Sequence, residues 1–89
     1  MTTDLSSATP AVSRTFRLQW EEAQQGYVLL YPEGMVKLNV SAGEILKCCD
    51  GKTTVDTIVA TLEAKFGVTG LRTDIEGLLK HAYAQKWIL

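Results

Sequence analysis

Few side chains in this sequence have the types needed for chemistry, and their spacing argues against it. His81 is the single imidazole, Cys48 and Cys49 are the only thiols, and the ten carboxylates are scattered over polar stretches. Nucleophilic catalysis needs a nucleophile held beside a base that a third group orients. His81 instead adjoins Lys80 on a stretch of helical period and reads as part of a solvated face. Two adjacent cysteines form neither a disulfide framework nor the spacing of a zinc or thioredoxin-type site. At helical spacing Cys49 shares an apolar face with Ile45 and Leu46, where cysteine behaves as a small hydrophobe, and Cys48 is left the more exposed of two reduced thiols. The sequence therefore predicts no catalytic residue, no metal and no cofactor.

Backbone groups are the other source of chemistry, and their availability depends on the elements that carry them. Phe16, Leu18 and Trp20 alternate with Arg17, Gln19 and Glu21, the period of a half-buried strand. After a polar connection at 22–26, the run Tyr-Val-Leu-Leu-Tyr at 27–31 suits a central strand. Pro32-Glu33-Gly34 predicts a tight turn, with Pro presetting φ and Gly34 leaving at positive φ. Val36, Leu38 and Val40 alternate with Lys37 and Asn39 in a third strand over 35–40, which completes an antiparallel meander.

The period then changes. Ser41 with Glu44 forms a capping box, and Ala42, Ile45, Leu46 and Cys49 share a face before Asp50-Gly51 stops the helix. A second helix is capped by Thr53 or Thr54, carries Val55, Ile58, Val59, Leu62 and Phe66 on one stripe, and ends at Gly67. A third starts between Leu71 and Thr73 with Ile75, Leu78, Leu79, Ala82 and Tyr83 at helical spacing, and Trp87, Ile88 and Leu89 dock on the core as a closing apolar tag. The fold class is α+β: a three-stranded antiparallel meander followed by three helices in one domain over 14–89, after a mobile tail over 1–13 rich in Thr, Ser, Ala and Pro.

The second and third helices with the hairpin resemble a winged helix-turn-helix, which often serves DNA. Here Asp74 and Glu76 stand beside the single Arg72 at the start of the last helix, so acidic groups would face phosphates. Nine Lys+Arg against ten Asp+Glu add no general attraction for nucleic acid or anionic lipid. No apolar run reaches the ~20 residues of a membrane span and none has the form of a signal peptide, which places the protein in the cytoplasm. The remaining candidate is the sheet edge. The third strand is short, with Lys37 as its only charged residue, and two readings stand level: a passive edge protected by that lysine, or an edge to which a peptide adds as a fourth strand.

The segment YVLLYPEGMVKLNVSAGEILKCCDGKTTVDTI at 27–58 resembles the PqqD family, whose pattern joins a Leu-Leu-Tyr-Pro-Glu-Gly hairpin, a Leu-Asn strand end, an Ala-x-x-Ile-Leu helix and a Cys-Asp-Gly stop. The likeness continues through Leu62, Asp74-Ile75 and Leu78-Leu79, and back to Arg17-Leu18. Members often have glycine just before the closing apolar residues, where this chain has Lys86. The resemblance implies a non-catalytic adaptor in the making of pyrroloquinoline quinone. Such proteins bind the leader of a ribosomal precursor peptide and present it to a radical S-adenosylmethionine enzyme that cross-links the substrate's Glu and Tyr side chains. It places the leader along Val36, Lys37, Leu38 and Asn39, with Leu78, Leu79 and Ala82 as groove residues beside the third helix. A homodimer through the same open edge would compete with the leader. The alternatives are a winged-helix nucleic-acid regulator and an adaptor of the same fold in another modified-peptide pathway.

Overall fold

Alternation in the first half and helical period in the second produce six elements. The computed structural model describes residues 7–89. In chain order they are β1 (Arg17–Glu21), β2 (Gly26–Tyr31), β3 (Gly34–Lys37), α1 (Val40–Lys47), α2 (Val55–Phe66) and α3 (Arg72–Ala84), with the strands in the antiparallel order β1-β2-β3. The register sets Leu18 opposite Leu29 and Leu29 opposite Val36, so an apolar row crosses the face that meets the helices. Against it lie Ile45, Leu46, Ile58, Leu62, Ile75, Leu79 and Ile88, all buried. The expected α+β meander and three helices are present.

Two local expectations are corrected at the β3–α1 junction. The third strand ends at Lys37 rather than 40, apart from one further ladder bond from the Leu38 N–H to the Tyr27 carbonyl at 3.1 Å. The cap of α1 is Asn39, whose side-chain oxygen accepts the Ala42 N–H at 2.7 Å, so no Ser41–Glu44 capping box starts this helix. Asn39 has the same capping chemistry as serine and lies two residues earlier, so Val40 becomes helical instead of extending the strand. Gly34 is not among the residues at positive φ: it pairs with Tyr31 as the first residue of β3, leaving Pro32-Glu33 as a two-residue turn. At the other caps, Thr54 accepts the Thr57 N–H at 3.2 Å and Gly67 ends α2 at φ 66°. The start of α3 has no side-chain cap of its own; the Leu71 N–H donates to the Glu63 carboxylate at 3.0 Å.

Gly43 lets α1 lie directly on β2. A Cβ there would stand 2.6 Å from Cδ2 and 2.9 Å from Cβ of Tyr27, and a strand Cβ cannot swing aside. Helix propensity alone would make Gly43→Ala stabilising by about 1 kcal/mol, while overpacking costs about 1–3 kcal/mol. We expect the clash to win, lowering the melting temperature by roughly 5–10 °C. Gly77→Ala, whose Cβ would meet nothing within 4 Å, is expected to raise it. Parallel thermal melts check both, and a Gly43→Ala protein as stable as the parent would refute the contact.

The segment expected as a mobile tail over 1–13 falls into two parts. Residues 1–6 lie outside the described residues. Residues 8–13 are held: Pro10 is fully buried, Ala8 and Val12 pack on the core, and bridges join Ala11 to Asp50 and Val12 to Ile88. The Gly51 N–H donates to the Pro10 carbonyl at 2.9 Å, and Ala11 and Leu89 exchange both of their backbone bonds. This arm gives the Cys-Asp-Gly stop a structural meaning. Cys49 lies in the core, Gly51 turns at φ 79°, and Asp50 accepts the N–H groups of Lys52 and Thr53 at 2.9 and 2.8 Å. Those donors hold its carboxyl below the ordinary range. Lys86 also adopts a left-handed conformation, φ 63°, in the region that favours glycine.

Candidate functional site

The Leu38–Tyr27 bond fixes the phase of the third strand. Backbone polar groups of successive strand residues point to opposite edges, so Val36 and Leu38 direct theirs to β2 while Met35 and Lys37 direct theirs outward. Because β3 ends the sheet, this outer edge has no strand beside it among the described residues. Met35 and Lys37 are also exposed in their side chains, whereas Val36 and Leu38 turn half-buried side chains to the core. Asn39 spends its side chain on the α1 cap.

Where the third strand gives way to α1 there is a groove of about 270 Å³, floored by Ile45, Leu62 and Ile75 and walled by Val40, Phe66, Val68 and Leu71. Val40 is 67% exposed, Phe66 45% and Val68 44%, so apolar side chains stand open to water at its mouth. Sequence reasoning placed Val40 in a strand and Phe66 on the buried stripe, and missed this groove. The available signal was Asn39: once it is the cap, Val40 falls on the first helical turn, off the face of Ala42, Ile45 and Leu46.

The third helix divides the residues expected to line a groove. Leu79 and Ala82 are 0% exposed and belong to the core, so they have no surface to offer a ligand. Leu78 is only partly buried and lies one turn beyond Asp74, at the i,i+4 spacing that makes helix neighbours.

The chemistry-bearing side chains are not brought together. His81 packs edge-on against Trp87 with ring centroids 5.2 Å apart. The Cys49 thiol donates to the Ile45 carbonyl at 3.4 Å, and burial pushes it up to about 12, so it stays a thiol. Burial, followed by Glu44, raises Cys48 as well. No group of three or more His, Cys, Asp or Glu among the described residues could hold a metal ion.

Comparison with known proteins adds three findings. The family described as coenzyme PQQ synthesis protein D matches residues 26–88. A protein named PqqA binding protein from Acinetobacter baylyi is 54% identical over 86 residues, covering 96% of this chain and 87% of the relative. Its namesake from Pseudomonas aeruginosa is 55% identical over 82 residues, covering 91% and 89%. The solution structure of the PqqD truncation of Methylobacterium extorquens PqqCD, described as a functional stand-alone recognition element for ribosomally synthesised and post-translationally modified peptides, superposes with a TM-score of 0.76 at 28% identity, over 90% of this chain and 87% of that one.

Proposed function

The chain belongs to the PqqD family, and we propose that it is a peptide-binding adaptor of pyrroloquinoline quinone biosynthesis, which captures the precursor PqqA by adding its leader as a strand to β3. The observation that carries this reading is the outward phase of Met35 and Lys37, which offers two N–H and two C=O groups to an incoming strand. The relatives named for PqqA binding and the recognition-element structure support the ligand. A buried Cys49 that stays a thiol and a histidine packed edge-on against an aromatic ring support a protein that holds its substrate and leaves the reaction to another. That other protein, on this reading, is the radical S-adenosylmethionine enzyme that cross-links the peptide. A second copy of the chain would suit the same edge and would compete with the leader. No helix among the described residues is long and apolar enough to cross a membrane, which fits work in the cytoplasm, where the precursor is translated.

Amide hydrogen exchange tests the reading directly. Without peptide, Met35 and Lys37 should exchange fast and Val36 and Leu38 slowly. Saturating PqqA should slow Met35 and Lys37 selectively. Unchanged exchange at both positions in a saturated complex would remove strand addition.

A further inference from the structure

We propose that the groove between α1, α2 and α3, with Asp74 on its wall, selects a leader segment in which a hydrophobic side chain lies beside a lysine or arginine. The inference rests on strand addition, since it takes the peptide to leave the β3 edge near Leu38 and cross the groove that opens at Val40. Asp74 is the only charged residue in the groove lining. It is exposed and has no hydrogen-bond or ion-pair partner among the described residues. The other acids of the three helices are engaged: Glu44 holds Lys65, Asp56 and Glu76 hold Arg72, and Glu63 accepts the Leu71 N–H.

Charge over the whole chain nearly balances, at −1. The groove lining itself carries one charge, the Asp74 carboxylate, and no cation. An apolar cleft with one free carboxylate beside it favours a guest that fills the cleft and brings a positive charge. It disfavours an acidic guest, because like charges at a partly desolvated contact repel. The same carboxylates that turn this helix away from nucleic acid would thus give it a preference among peptides.

The test is a thermodynamic cycle by calorimetry, using wild type and Asp74→Asn against PqqA and against PqqA variants in which each lysine or arginine is replaced in turn by glutamine. Asp74→Asn should weaken PqqA binding roughly fivefold at low salt, with the difference shrinking as salt is added. One glutamine variant should weaken binding to wild type by the same factor and lose nothing further with Asp74→Asn. Asp74→Glu should restore binding, and Val40→Ser should weaken every peptide alike. Equal binding by wild type and Asp74→Asn would overturn the proposal, as would an equal loss with all peptides. Lys37→Pro separates this from the reading beneath it: coupling at Asp74 with undiminished binding by Lys37→Pro would refute strand addition and keep the groove. Loss of binding by Lys37→Pro without coupling at Asp74 would do the reverse.

Discussion

Replacing Lys37 by proline is expected to leave the fold standing and to weaken PqqA binding, while replacing Leu38 by proline should unfold much of what the first change spares. The Lys37 N–H points away from β2, so the proline ring takes no bond from the sheet, and Val36 before it is already extended, as a residue preceding proline prefers. The guest strand loses a donor at that place, worth about 1 kcal/mol or more, which is at least about fivefold in affinity. At Leu38 the proline removes the N–H that reaches the Tyr27 carbonyl and leaves that acceptor without its partner, costing about 1–3 kcal/mol. It also removes a side chain packed on the core, so Leu38→Ala serves as the control that separates packing from the bond. Thermal melts and calorimetric titration with PqqA report the two losses separately. Undiminished binding by a well-folded Lys37→Pro protein would sink strand addition.

The second large effect lies in α3. Leu79 has no exposed surface, and Leu79→Ala is expected to cost about 2–5 kcal/mol through lost burial and a residual cavity. For a domain this small, that lowers the melting temperature by roughly 10–30 °C. Peptide affinity of the molecules that remain folded should not change. Leu78→Ala, at the partly buried neighbour, should cost clearly less stability and reduce affinity. Melting curves, followed by titration well below the transition, distinguish the two residues. A Leu79→Ala protein that melts like the parent but binds poorly would move Leu79 from the core to the binding surface.

The adjacent leucines show where reading the sequence succeeds and where it stops. Helical spacing identified Ile75, Leu79 and Ala82 as one apolar stripe, and they are buried as one. Periodicity carries no information about what a stripe packs against, so it does not separate Leu79 and Ala82, which lie in the core, from the groove residues that the family resemblance implied. The strand edge was legible as an edge, but its phase was not. Lys37 and Leu38 exchange roles with a one-residue slip, and only the pairing of Leu38 with Tyr27 settles which faces outward. At Asn39 two adequate caps competed within three residues, and the choice between them moved Val40 from a strand to the lip of a groove. The arm over 8–13 was missed because polar composition concealed Pro10 and Val12, each of which needs only one site on the finished core.

That arm has a consequence for shortening the chain. Backbone hydrogen bonds tie Ala11, Val12 and Ser13 to Leu89, Cys49 and Trp87, so the two ends of the described chain are fastened to each other as well as to the core. Ends are ordinarily where a domain frays and tolerates trimming. Here a cut after Ser13 would strip the partners from 87–89, and a cut after Ala84 would release the arm from the side on which Val12 meets Ile88. Trimming either end would loosen the other, and the shortest self-sufficient form of this domain keeps both.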